Sequence, residues 1–436
     1  MFKNIQNMFK VKDMRKRLLY TFLMLVILRL GSQIPIPGIN RDYFRNWFSQ
    51  QTEGAFNFFS AFTGGSFENM SLFALNITPY ITASIIIELL TIAVPALDEM
   101  RKDGEDGRKK MTKITRYTAI GLSVFQGAAM TIGFGKSGLL VHYSFLNAVI
   151  VIAALTAGSA FVIWMADSIT KHGIGNGTSI VLLINILSRI PQDMVALWRQ
   201  FVYGKTIAKG VLSAAVITAV LIGIAAVNVV LNDMERRIPV RYAGKRKGSP
   251  GPFGIDSNIP LKVNTAGVIP VIFASSLFSI PSILMAALRK TPGGIWGTVI
   301  GMLNQNNWFD FSHPVYMIGY ASYIALCVFF AYFYTSITFN PMEVADDLKK
   351  QGAFIPGIRP GTPTRQYLEK ILSYLVFIGA VSLISVVTIP IFFSGVFNAN
   401  VSFGGTSLII VVGVILETSQ QIKSNLWERN YKSFLP

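Results

Sequence analysis

The 436-residue chain has one cysteine, Cys327, and three scattered histidines, His142, His172 and His313. An internal disulfide is therefore impossible, and no Cys/His cluster exists to hold a zinc ion. Charge is also scarce. Only 14% of the residues are charged and 52% are hydrophobic, whereas a typical soluble domain is about 25% charged. That balance excludes an ordinary soluble enzyme. Phosphate-binding loops are missing too: Gly135-Lys136-Ser137 resembles the end of one, but Met130 stands where the opening glycine is needed. Residues 173–177, Gly-Ile-Gly-Asn-Gly, lack the preceding soluble strand of a nucleotide fingerprint and read as a tight turn between two spans. There is no nucleophile elbow, and the acidic residues of 98–106 and 346–347 alternate with Lys and Arg as solvated loops do. No catalytic constellation and no cofactor site emerge.

What the chain has instead is apolar runs of membrane-spanning length, about 20 residues each. Runs closed by charge, Pro or Gly predict ten spans, near 18–36, 74–96, 117–135, 145–167, 178–200, 211–231, 265–288, 315–338, 371–394 and 405–420. The fifth is interrupted by Arg189, Pro191, Gln192 and Asp193, so nine is the alternative count. The basic start has no small-residue cleavage site after it, which predicts that the first span is retained. Of the 39 Lys and Arg, 29 fall in the segments on the N-terminal side of the membrane and 9 on the other, counting Arg189 and Arg199 in the outer part of the fifth span, with Arg29 inside the first span. This asymmetry orients both termini toward the cytoplasm.

Three inner segments, 97–116, 233–264 and 340–370, are unusually long or charged and together suggest a docking face. Arg236, Arg237, Arg241, Lys245, Arg246 and Lys247 lie among Gly and Pro with few aromatics. Such a patch suits an acidic protein surface or rRNA phosphate better than base readout. Ionisable residues within spans are few. Arg29 and Glu88 are the clear cases, with Asp167, Arg189 and Glu417 near span ends where long side chains snorkel. The second span carries Asn76, Thr78, Thr82 and Ser84, a polar set suited to bordering water or a movable partner. Between the first two spans, 54–71 holds Phe56, Phe58, Phe59, Phe62 and Phe67 around Gly64-Gly65. It is too short to span and too apolar for a surface loop, which predicts a re-entrant element; an interfacial helix is the alternative.

Six motifs in order carry a resemblance. They are Ile-Pro-Ile-Pro-Gly at 34–38, Ile-Thr-Pro-Tyr-Ile-Thr-Ala-Ser-Ile-Ile-Ile at 77–87, the glycine turn at 173–177, Pro-Leu-Lys-Val-Asn at 260–264 with Ala-Gly-Val-Ile-Pro at 266–270, Phe-Ile-Pro-Gly-Ile-Arg-Pro-Gly at 354–361, and Gly-Gly-Thr-Ser-Leu at 404–408. Together they resemble the bacterial SecY family along essentially the whole chain. The resemblance implies an all-α polytopic membrane protein of ten transmembrane helices in two inverted five-helix halves, inversion following from an odd number of spans per half. The organisation expected is an amphipathic cytoplasmic N-terminus at 1–17 and a first half at 18–200 containing a plug at 58–71. The sixth span and its cytoplasmic loop follow at 201–264, the rest of the second half at 265–420 with a docking loop at 339–370, and a cytoplasmic tail at 421–436.

The resemblance further implies the central subunit of a channel that passes unfolded secretory chains across, and releases membrane segments into, the bacterial plasma membrane; it implies no enzyme. Its narrow pore ring falls on Ile77, Ile81, Thr178, Leu182, Ile272 and Ile410, where Thr178 departs from the usual aliphatic. The plug falls on 58–71, including Phe58, Phe62, Gly64, Gly65 and Phe67. Polar positions of a lateral gate match Thr82, Gln126 and Asn264, with Glu88 standing where glutamine is usual. Arg359 matches the cytoplasmic arginine that meets the SecA motor or the ribosome, and residues 242–258 depart from the family's wording. Implied partners are SecE, SecG, SecA, the ribosome, signal sequences and unfolded secretory chains, membrane lipids and the insertase YidC, with no cofactor. Two other functions fit the composition: a secondary transporter, which needs a compact ionisable site at mid-membrane, and a scaffold whose basic loops recruit a cytoplasmic partner.

Overall fold

The computed structural model describes residues 11–50, 60, 62–205, 207–242, 256–288, 295–309, 313–397 and 405–432. Ten helices coincide with the ten apolar runs: α1 (Lys12–Gly31), α3 (Thr78–Ala93), α5 (Gly104–Phe134), α6 (Phe145–His172), α7 (Gly177–Phe201), α8 (Ile207–Asp233), α9 (Ile269–Leu288), α11 (Met317–Thr338), α13 (Thr362–Phe397) and α14 (Gly405–Lys432). Shorter helices lie between them: α2 (Arg41–Gln50), α4 (Pro95–Lys102), α10 (Ile295–Leu303) and α12 (Pro341–Lys350). Among the described residues six helices are long and apolar enough to cross a bilayer by length and composition, or seven if the pair α3 and α4, bent by 103°, is one span. α1, α9 and α14 fall outside that test. α1 is basic at four of its first six positions, α14 has a polar second half, and α9 contributes the shorter apolar stretch Ile269–Phe278.

Several helices outrun their apolar cores. α1 begins at Lys12 and α13 at Thr362, because Lys, Arg and Glu are good helix formers and simply carry the helix out of the hydrocarbon. The second apolar run stops short of this. Val94 is extended and Pro95 opens α4, so the chain turns sharply where the apolar run ends. α7 continues through Pro191, which the sequence marks as an interruption.

Five of the long helices precede residue 202 and five follow it. The two sets meet along two seams: α9 against α3 and α5, and α7 against α8 and α14. The apolar side chains that close the middle belong to both sets. Met24 and Leu28 of α1, Met165 and Ile169 of α6, Ile180 and Ile186 of α7, and Val411 and Val414 of α14 share one buried cluster.

The helical class is joined by a small sheet that the sequence reads as loop. β1 (Glu235–Tyr242) pairs antiparallel with β2 (Asp256–Lys262) and, through Arg241 and Tyr242, with β3 (Ala353–Phe354), giving the order β2-β1-β3. Ile238 and Val240 point inward, packing with Leu261, Leu348 of α12, Ile355, and Leu368 and Ile371 of α13. Two of the predicted docking loops are thus one folded unit. Lys262 Nζ donates to Gln420 Oε1 at 2.7 Å, tying this unit to α14.

Candidate functional site

The turn before α3 sets the first site residue. Asn76 adopts φ +50, a left-handed conformation that Asn tolerates better than most residues, and its Oδ1 accepts the Ile77 N–H at 2.9 Å. Its carbonyl accepts Ser159 Oγ of α6 at 3.0 Å. Ile77 is thereby fixed one turn ahead of Ile81. On the facing side, the turn between α6 and α7 is closed by side chains: Thr21 Oγ1 of α1 accepts the Ile174 N–H at 3.1 Å, and Thr170 Oγ1 accepts the Gly177 N–H at 2.8 Å. Asn176 caps α7 by accepting the Thr178 N–H at 3.0 Å.

These elements bring together five of the six residues matched to a pore ring. Ile77, Ile81, Leu182, Ile272 and Ile410 all lie in the central buried cluster, each no more than 8% exposed. They come from the start of α3, α3 itself, α7, α9 and α14, so both halves contribute. Thr178 stands one turn from Leu182 on α7, half-buried and outside that cluster. Phe62 of the segment between α1 and α3 belongs to the same cluster at 3% exposure.

That segment is buried from Phe62 to Phe67 and again at Met70. Phe67 packs edge-on to Phe44 of α2 at 5.5 Å, in a second cluster with Leu75, Phe134 and Leu155. Gly64 and Gly65 both have positive φ, +62 and +80. A Cβ on Gly64 would also lie 2.8 Å from Arg29 Nη1 and 3.0 Å from Asn185 Cα, so the site needs glycine on both counts. Phe56, Phe58 and Phe59 lie outside the described residues.

Polar contacts reach this segment from the helices. Arg189 Nη1 donates to Glu68 Oε2 at 2.6 Å, Arg45 Nε lies 3.8 Å from Glu68 Oε1, and Arg29 Nη1 donates to the Gly64 carbonyl at 3.5 Å. The Arg189 side chain is only 13% exposed and paired, not snorkelling to the surface. Asp167 pairs with Arg116 of α5. The Glu68–Arg189 pair is invisible to motif reading because its members are 121 positions apart.

The residues matched to a lateral gate stand on α3, on α5 and at the approach to α9. Thr82, half-buried on α3, donates to the Thr78 carbonyl at 3.1 Å. Gln126 on α5 and Glu88 on α3 each place a buried oxygen that has no hydrogen-bond partner among the described residues. Asn264 donates to Asn232 Oδ1 at 3.2 Å, at the end of α8. Among the described hydrogen bonds none joins Thr82, Gln126 and Asn264 to one another.

On the docking unit, Arg236, Arg237 and Arg241 are exposed along β1, and Arg237 pairs with Glu235 at 2.6 Å. Arg359 is exposed in the turn between β3 and α13, where its carbonyl accepts Thr364 Oγ1 at 2.8 Å. Lys245, Arg246 and Lys247 lie outside the described residues. On α4, Asp98 is held below the usual carboxylate range by the hydrogen bond from Lys102 at 2.6 Å.

The family model described as SecY matches residues 71–419. The chain belongs to the SecY family. It is 40% identical over 449 residues to the protein translocase subunit SecY of Bacillus subtilis (strain 168), covering 100% of both chains. It is also 40% identical over 444 residues to the protein translocase subunit SecY of Streptomyces scabiei, covering 98% of each. Its fold is similar to a solved protein conducting channel, with a TM-score of 0.66 at 21% identity over 94% of this chain and 92% of that one. Sec61 in the canine ribosome-channel complex from the endoplasmic reticulum gives 0.65 at 20% identity with the same coverage. The ten helices described above are the SecY fold, and the chain is a multi-pass membrane protein.

Proposed function

We propose that this chain is the pore subunit of a protein-conducting channel. It passes unfolded secretory chains across the bacterial plasma membrane and releases apolar segments sideways into it. One observation carries this function: Ile77, Ile81, Leu182, Ile272 and Ile410, drawn from both halves, close on one another and on Phe62 in a single buried apolar cluster. A ring of bulky aliphatics resists ion flow by staying dry, and it touches an extended polypeptide without sequence preference. Residues 58–71 act as the plug that fills this ring at rest, with Thr178 at its edge. The α9 seam with α3 and α5, bearing Thr82, Glu88, Gln126 and, at the approach to α9, Asn264, is the lateral gate.

Both termini face the cytoplasm, and the β1-β2-β3 unit with Arg359 receives the SecA motor or the ribosome. SecE and SecG complete the channel, and YidC receives released membrane segments. Energy comes from those partners, since a channel subunit supplies a path and not a reaction. A coupled solute transporter would gather ionisable side chains at mid-membrane, whereas here Glu68–Arg189 and Arg116–Asp167 are separate ion pairs on different helices.

The test is reconstitution with SecE and SecG in vesicles, followed by SecA, ATP and an unfolded precursor. Protease protection of the precursor is the expected result. Vesicles containing the inserted protein that bind SecA yet protect no precursor would overturn the channel and favour the scaffold.

A further inference from the structure

The plug segment is held in two different ways. On its inner side Phe62 packs into the dry ring, and at its far end Phe67 packs on Phe44. Those contacts are apolar and carry little direction, so they permit sliding. Glu68 is held otherwise. Its carboxylate, 21% exposed, receives Arg189 at 2.6 Å, with Arg45 at 3.8 Å on its other oxygen. A charge-assisted hydrogen bond at this length fixes distance and angle, and with both side chains mostly buried it is screened weakly.

The position of Arg189 in α7 gives this pair its significance. Leu182, Asn185 and Arg189 are spaced i, i+3 and i+7, which puts them on one face of the helix. Leu182 lies in the ring, the Asn185 backbone abuts Gly64, and Arg189 holds Glu68. One helix face therefore runs from constriction to plug to ion pair. Any displacement of α7 by a chain entering the ring must strain the Glu68 contact, and any exit of the plug must break it.

From this juxtaposition, and resting on the channel function above, we propose that Glu68 and Arg189 are the positioning residues that set how readily the plug undocks. Arg45, 63% exposed, is a secondary and screened support. Arg29, donating to the Gly64 carbonyl at 3.5 Å, steadies the glycine turn from the α1 side.

Plug undocking is read directly by the thiol reactivity of a cysteine at 66, in the full chain and its native membrane. Ser66 is 1% exposed and its hydroxyl has no hydrogen-bond partner among the described residues, so Ser66→Cys is a mild change. Cys327→Ser removes the background thiol. In that protein, Glu68→Gln and Arg189→Gln should each raise the labelling rate about tenfold, equivalent to about 1.4 kcal/mol lost from the docked state. The two together should do no more than either alone, since they remove one interaction. The exchange Glu68→Arg with Arg189→Glu should bring the rate back toward the parent, which a general loss of folding would not do. Parental rates in the single variants, additive effects in the double, or no recovery in the exchange would overturn the latch. Precursor transport by the parent, measured in the same membranes, reports separately on the channel function: labelling answers for the latch whether or not transport occurs.

Discussion

The central apolar cluster and the three-stranded sheet, both buried at their cores, are assembled by opposite means. The apolar cluster gathers side chains from helices far apart in sequence, from Ile77 to Ile410, and among the described hydrogen bonds no backbone pairing joins one of these helices to another. The docking unit is a local hairpin, β1 with β2, joined by β3 and sealed by Ile238 and Val240 against α12 and α13. A contact made only of side chains on separate helices opens when the helices shift. A hydrogen-bonded sheet keeps its shape while they do. Under the proposed function, this difference suits the cluster to move as a ring and the sheet to serve as a rigid landing surface.

The comparison would break most visibly at the ring. Large-to-small changes of buried isoleucine cost about 2–5 kcal/mol each, so Ile81→Ser with Ile272→Ser should strongly favour a wet ring. If about 2.8 kcal/mol of that acts on the closed state, the conducting fraction rises about a hundredfold. Planar-bilayer conductance checks this, with SecA binding expected to stay at the parental level. Unchanged conductance of the inserted variant would remove these residues from the constriction.

A smaller effect is expected at the landing surface. Arg359 is exposed, so Arg359→Glu should act on partner encounter and slow SecA-driven transport about tenfold. Resting conductance should not change, and a leak would show that the two regions are not separate. Smaller again is the seam: Thr82→Leu, Gln126→Leu and Asn264→Leu together should shift the hydrophobicity a signal sequence needs by altering the solvation of the α9 seam, at roughly 1 kcal/mol per polar contact. An unchanged threshold in an export assay would remove the trio from the gate.

The least effect is expected at Asp98. Its carboxyl is held low by Lys102, so any stabilisation is present above the ordinary carboxylate range and fades as pH falls through the lowered value. The pair lies on the short helix α4, which carries none of the ring, plug or gate positions, and Asp98→Asn should leave transport at neutral pH unaltered.

The helices were legible because apolar runs between charges are a strong signal, and the ten runs correspond to α1, α3, α5 to α9, α11, α13 and α14. Their ends were less so. Hydropathy marks where a helix is apolar and not where it stops, as the basic start of α1 shows. The sheet was hidden by its own composition. Pro239 and Pro260 each lack an N–H for a ladder and read as breakers, yet both sit in paired strands, Pro239 opposite Asn258 and Pro260 opposite Arg237. In the site, the ring positions could be marked only through resemblance, since nothing in their local sequence says that Ile81 and Ile410 share a cluster. Arg189 stood out in the sequence only as an interruption of the fifth span, and its pairing with Glu68 carried no signal, because charge pairing across 121 residues is a product of the fold.

The most direct test of the channel follows a precursor arrested part-way, with a photo-crosslinking residue placed singly at positions 81, 182, 272, 410 and 238. Crosslinks to the precursor from the first four, on four different helices, and none from 238 beneath the sheet, are the predicted result. An arrested precursor that crosslinks at none of the four, or equally at 238, would contradict a path through the centre of these two halves.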